Sequence, residues 1–193
     1  MQNNLKKKLY QPNPQGKGLV PVLECLAESR ALISVVPKQI SQISSELFTS
    51  LFVLHSHFQF KPVVGKQYWL YQRAKQFQLS LISPEEWGDN GFGLFVGECI
   101  LQQDITWTLT LDNNAANDKA LMSYIEARRD EFERALISAE SVDAVLPFYL
   151  AGLPFYQRVY ASALANSLKR SMQKSGIHGL SYVQAQKCIS VNL

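Results

Sequence analysis

Apolar positions recur at helical spacing over the first 60 residues, alternate strictly near residue 67, and return to helical spacing beyond residue 118. The first helical pattern begins near Leu19, with Pro21 in its first turn and Val22, Leu23, Leu26 and Ile33 facing inward. Pro37 breaks it. A second pattern runs from Pro37 to Phe58, where Ile40, Ile43, Leu47, Leu51, Leu54 and Phe58 recur at spacings of three and four. Phe48, Phe52 and Val53 widen that arc, and Lys38 and Glu46 are its only charges. A helix so apolar is either sandwiched within the fold or part of a dimer seam.

From Gln67 to Arg73 the chain alternates, with Tyr68 and Leu70 on one side and Trp69 and Tyr71 on the other. Period-two patterning with aromatics predicts a strand covered on both faces. Ala74-Lys75-Gln76 is a short break, so Phe77 to Ile82 returns antiparallel, although no Asn-Gly or Asp-Gly marks the turn. Ser83-Pro84-Glu85-Glu86-Trp87-Gly88 then reads as one capped helical turn. Ser83 is the N-cap, Pro84 the first helical residue, Glu86 the returning partner of a capping box, and Gly88 the stop. Trp87 is expected to fold over the sheet as a lid. After the Asp89–Gly93 loop, Leu94 to Leu101 is a third strand and Thr106 to Thr110 a fourth. The predicted result is a small antiparallel β-meander of about four strands.

The run Y-x-L-Y, then I-S-P-E-E-W-G, then D-x-T-W-T resembles an uncharacterised domain-of-unknown-function family, DUF2452, of bacteria and animals. The resemblance covers about residues 16–110. It includes Gly18-Leu19-Val20 and places Tyr68, Tyr71, Ser83, Pro84, Glu86 and Trp87, with Gly97, Leu101, Asp104 and Trp107, at matching positions. It implies a shared module and carries no activity, and neither the Pro37 break nor the chain beyond about residue 111 follows the family pattern.

Past Asn113–Asn117, read as a linker, Asp118 to Ile137 is an amphipathic helix. Leu121, Ile125, the stem of Arg128, Phe132 and Leu136 form its inner face. Leu146-Pro147-Phe148-Tyr149 recurs seven residues later as Leu153-Pro154-Phe155-Tyr156. On a helix begun at Ser141 that spacing sets both aromatic pairs on one side, with Pro154 forcing a kink or a new start. The run is a buried core helix, a partner-binding aromatic surface, or an interfacial membrane contact. Ala161 to Lys174 continues as helix, and residues 176–193 add a short strand or stay loose.

At 193 residues, 47% hydrophobic and 18% charged, the chain is expected to be a soluble α+β domain. It divides into a flexible basic tail (1–17), a helical lead-in plus sheet module (18–110), and a C-terminal helical extension packing on the same core (111–193). The net charge of +3 is too small to argue for nucleic acid. Cys25, Cys99 and Cys188 form no CxxC pair, and Lys6-Lys7-Lys8 leads into no apolar run, so a reducing cytoplasm is expected. No segment is apolar enough to span a bilayer, which leaves peripheral membrane contact open.

No P-loop, dinucleotide fingerprint, nucleophile elbow or zinc spacing occurs. His55 and His57 point apart on a helix and do not make a metal pair. No metal and no cofactor are expected. Glu86 is explained by its cap, and Asp104 by a turn in which it bonds its own backbone. The candidate binding residues are Tyr68, Tyr71, Glu86, Trp87, Asp104 and Trp107, which form either a pocket or an ordinary core. The candidate partner interface is Phe148, Tyr149, Phe155 and Tyr156. The leading expectation is a non-catalytic interaction or scaffold domain that self-associates or binds a protein. Nucleic-acid binding by the basic tail and sheet aromatics is one alternative, and a small-ligand binder or enzyme with a pocket near Trp87 is the other.

Overall fold

The computed structural model describes residues 35–88, 91–150 and 152–189. The expected basic tail, the lead-in helix from Leu19 to Ile33 and Cys25 lie outside the described residues, as do Asp89 and Asn90.

The first helix, α1 (Ile40–Leu54), carries the predicted stripe, with Ile40, Ile43, Leu47 and Leu54 all buried. It is shorter at both ends than its apolar pattern. Before it, the Lys38 backbone N–H and carbonyl are both taken by Ser175 Oγ, which holds that segment extended. After it, Ser56 Oγ donates to Val53 O, and His57 runs beside a strand, donating to Phe77 O and accepting from Leu79 N–H. Phe58 is therefore buried from a loop.

The strands β1 (Gln67–Arg73), β2 (Gln76–Ser80), β3 (Leu94–Leu101) and β4 (Trp107–Leu111) form one antiparallel sheet. Their order is β2-β1-β3-β4, so the chain does not meander in sequence. After β2 it passes through α2 (Pro84–Trp87) and returns to pair β3 with β1. The two-residue β1–β2 turn places Ala74 and Lys75 both at positive φ, 48° and 66°. That is the twist a tight hairpin needs, supplied without the usual Asn-Gly. Across β1–β3 the register slips between Leu70 and Tyr71, because Leu70 faces Gly97 while Tyr71 faces Phe95. Gly97 is required there: a Cβ would stand 2.2 Å from the Thr110 carbonyl oxygen.

One sheet face, with Tyr68, Leu70, Phe77, Leu79 and Cys99, packs under α1. The other carries Trp69, Tyr71 and Phe95 and the exposed Glu98, Thr108 and Thr110. Asn113–Asn117, expected as a linker, is the short helix α3, because Asp112 caps it by accepting from Asn114 N–H. Helix α4 (Lys119–Ser138) follows, capped by Asp118, and buries Leu121, Ile125 and Leu136. Arg128 is turned outward to Glu131.

The largest departure concerns residues 144–154. No α-helix forms there among the described residues. A 3₁₀ turn (Val142–Val145) ends at Leu146, which is extended, and α5 (Phe155–Lys174) begins only after Pro154. Each proline lacks an N–H and disfavours helix in the residue before it, and these effects outweigh the apolar run. The two aromatic pairs thus do not share a helix face. Helix α5 packs Tyr160, Ala161, Leu164, Ala165, Leu168 and Met172 into the core. Within residues 176–193, expected as a short strand or loose chain, Tyr182–Ile189 forms a helix, α6, and residues 190–193 lie outside the described residues. Ser181 and Gln184 bond each other's backbone N–H in a second capping box.

Candidate functional site

The candidate binding residues fall into three separate places. Tyr68 and Trp107 are core residues under α1, with rings 5.7 Å apart. Tyr68 Oη accepts from Val63 N–H, and Trp107 N–H donates to Ser50 Oγ. They offer no surface on which a base could stack.

Tyr71 belongs to the opposite sheet face. The expected capping box of α2 is present: Glu86 N–H donates to Ser83 Oγ, and Ser83 N–H donates to the Glu86 carboxylate. It sets Trp87 flat on Phe92 at 4.6 Å, and Phe92 meets Tyr71 edge-on at 5.5 Å. Tyr71 Oη donates to Ile82 O. Burial, then the nearby Glu85 carboxylate, push the Tyr71 phenol up to about 12. Trp87 is thus the lid of a small aromatic stack, and Glu86 is spent on its cap.

Asp104 lies at the other end of β3, about 20 Å of strand away. Its Oδ1 accepts from Thr106 N–H and Thr106 Oγ1, which braces a turn where the buried Ile105 is held at φ 67°. Its Oδ2 accepts from the Lys38 ammonium, which also bonds Glu46 at 2.5 Å. Burial opposes charge on both groups, but the bonds among them prevail. Lys38 is held above, and Asp104 below, its ordinary value. Sequence reasoning marked Lys38 and Glu46 as odd charges in an apolar arc but not their partner, which is 66 residues from Lys38.

Phe148 and Tyr149 lie in the loop that leads into α5, and Phe155 and Tyr156 are the first residues of that helix. Tyr149 is 85% exposed, Phe148 40% and Phe155 37%. The Lys169 ammonium sits 5.7 Å from the Phe148 ring, and Phe155 meets Tyr156 edge-on at 5.6 Å.

The same loop forms one lip of a cleft of about 510 Å³ that the sequence did not disclose. Its wall is an aromatic arc from α1, β2 and α4. Phe132 contacts Phe48 at 5.7 Å, Phe48 contacts Phe52 at 6.2 Å, Phe52 contacts Phe77 at 4.8 Å, and Phe77 contacts Tyr124 at 5.7 Å. His55, His57, Lys75 and Arg128 supply its polar rim, and Gln157 lines it from the first turn of α5. Gln157 is 2% exposed, and its Nε2 donates to Ser56 O at 2.9 Å. Its Oε1 finds no donor among the described residues. These residues come from four elements, so no local motif could have announced them.

No group of three or more His, Cys, Asp or Glu side chains that could hold a metal occurs among the described residues. His178 instead lies 3.1 Å from Asp143. Nor, among them, is any helix long and apolar enough to cross a membrane.

Fold and site together define a small α+β domain with an open aromatic cleft rimmed by basic side chains and histidines. Residues 30–125 match the family described as Protein of unknown function (DUF2452), and over that span the chain belongs to this family. The match reaches into α4, past the expected limit at about residue 110 and short of the expected start at 16. No curated protein and no solved structure matches the chain.

Proposed function

We propose that the protein is a non-catalytic interaction domain that associates through the aromatic loop before α5, with a second copy of itself as the partner. The observation that carries this reading is the exposure of Phe148, Tyr149 and Phe155, all large aromatic or phenolic side chains, within one short stretch of sequence. Residues 144–156 include no charged side chain. The segment itself brings no charge, Lys169 over the Phe148 ring being a cation beside it, and its natural counterpart is a largely apolar surface. Tyrosine and phenylalanine provide large contact area at low entropic cost, as interface anchors do. The carboxylates that could have served acid–base chemistry are engaged elsewhere, Glu86 in a cap and Asp104 and Glu46 with Lys38. The stripe of α1 formed by Ile40, Ile43, Leu47 and Leu54 is buried within the fold, which favours the loop over that stripe as the interface.

Size-exclusion chromatography with light scattering tests this directly. The native chain is expected to run as a dimer. Tyr149→Glu, which touches nothing in the core, is expected to yield a monomer with an unchanged circular dichroism spectrum. A native chain that stays monomeric across the accessible concentration range would end the self-association reading.

A further inference from the structure

We propose that the cleft between α1, the β1–β2 turn, α4 and the start of α5 binds a nucleoside phosphate. This goes beyond the interaction reading and does not depend on it. The cleft volume of about 510 Å³ lies within the span of small-molecule sites, roughly 300–1,000 Å³. Phe52, Phe77 and Phe132 are only half-buried and Tyr124 is exposed, so a planar ring can stack against faces that the core does not use.

Gln157 lines the cleft from the first turn of α5. Its amide is oriented by the bond from Nε2 to Ser56 O, which leaves Oε1 as a buried acceptor without a donor among the described residues. Such an atom costs about 1–3 kcal/mol unless a partner supplies an N–H or O–H. Every nucleobase presents an N–H at its pairing edge.

The rest of the cleft favours an anion. Lys75 and Arg128 stand at its rim with His55 and His57, and no Asp or Glu is among its lining residues. His55 Nδ1 lies 2.7 Å from Leu51 O, which can only accept, so that ring is anchored through Nδ1. Helix α5 begins at the cleft with Pro154 as its N-cap and no side-chain cap, and the first N–H groups of a helix have no intrahelical acceptor. Arg128 is held by Glu131 on the exposed face of α4, a pair that a phosphate can displace. Lys75 is held at φ 66°, where glycine or asparagine would be relaxed.

The test is isothermal titration calorimetry of the full chain with AMP, GMP, CMP and UMP, with the matching nucleosides and inorganic phosphate as controls. At least one nucleotide is expected to bind saturably, about tenfold or more tightly than its nucleoside and than phosphate alone. Lys75→Gly is expected to weaken that binding several-fold while raising the melting temperature, because the turn relaxes. A merely structural lysine would not separate the two readouts. Arg128→Ala is expected to weaken binding with the fold intact. The proposal is overturned if none of the four nucleotides binds at about 1 mM. It is equally overturned if phosphate or nucleoside binds as well as the nucleotide, or if neither variant reduces binding.

Discussion

Replacing Lys38 by methionine keeps most of the side-chain length and removes the ammonium that joins three parts of the chain. That nitrogen ties the segment before α1 to Glu46 within the helix and to Asp104 in the β3–β4 turn. Its side chain is 5% exposed, against 22% for Glu46 and 18% for Asp104. Removing one member of a fully buried pair costs about 3–5 kcal/mol, mostly by leaving the opposite charge unpaired. Both carboxylates here keep some contact with water, so we expect about 2–3 kcal/mol. The assay is urea denaturation at neutral pH, in which the midpoint falls while the slope stays constant. Asp104→Asn retains an oxygen to accept from Thr106, and the double variant should lose less than the two singles together by about 1 kcal/mol or more. The pH dependence follows from the directions of the shifts. Asp104 titrates below its ordinary 3.8 in the fold, so its contribution is present above that value and disappears as acid carries pH through the lowered one. Lys38 titrates above 10.5, so its contribution is present below 10.5 and disappears as base carries pH through the raised one. The cost of Lys38→Met should therefore be flat across neutral pH and shrink in strong acid. A Lys38→Met variant within about 0.5 kcal/mol of the native chain, or an additive cycle, would refute the reasoning.

Gly97→Ala should cost about 3 kcal/mol in the same assay, since its Cβ would meet backbone atoms of Thr110 and Leu111 that have no room to yield. Ser83→Ala removes one half of the α2 capping box and should lower stability by about 1 kcal/mol; an unchanged midpoint would mean that the box is idle. Burial pushes the Cys99 thiol well above its ordinary range, while Cys188 is exposed. Mass-spectrometric mapping after alkylation of the native protein should find Cys188 modified and Cys99 untouched until denaturant is added.

What could be read in advance depended on how local the signal was. The strands were legible because alternation around Tyr68–Tyr71 is a contact pattern within a few residues, and the Ser83–Glu86 box because its donors and acceptors lie within one turn. The Ser181–Gln184 box was equally local and marks a helix that the reading passed over. The helix expected from Ser141 does not extend through residues 144–154 because burial of the apolar run cannot restore the backbone donors that two prolines lack, while the new start expected at Pro154 is where α5 begins. Strand order was not legible: nothing in β1 states that its second neighbour is β3 and not a strand beyond β2. The aromatic cleft shares that limit, since Phe52, Phe77, Phe132 and Gln157 meet only after four elements have packed.

The bonds between α5 and the chain around α1 bear on where this protein can be divided. Gln157 donates to Ser56 O, Tyr160 to Pro62 O, Ser171 to Val36 O, Lys174 to Val35 O and Ser175 to Lys38 O. All five acceptors lie inside the family-matched span, and all five donors lie beyond its end at residue 125. A fragment cut at that border would break α4 in mid-helix and strip from α1 the helix α5 that packs against it. Recognisable ancestry and the unit that melts as one piece therefore have different edges in this chain, and a boundary for expression belongs after α5.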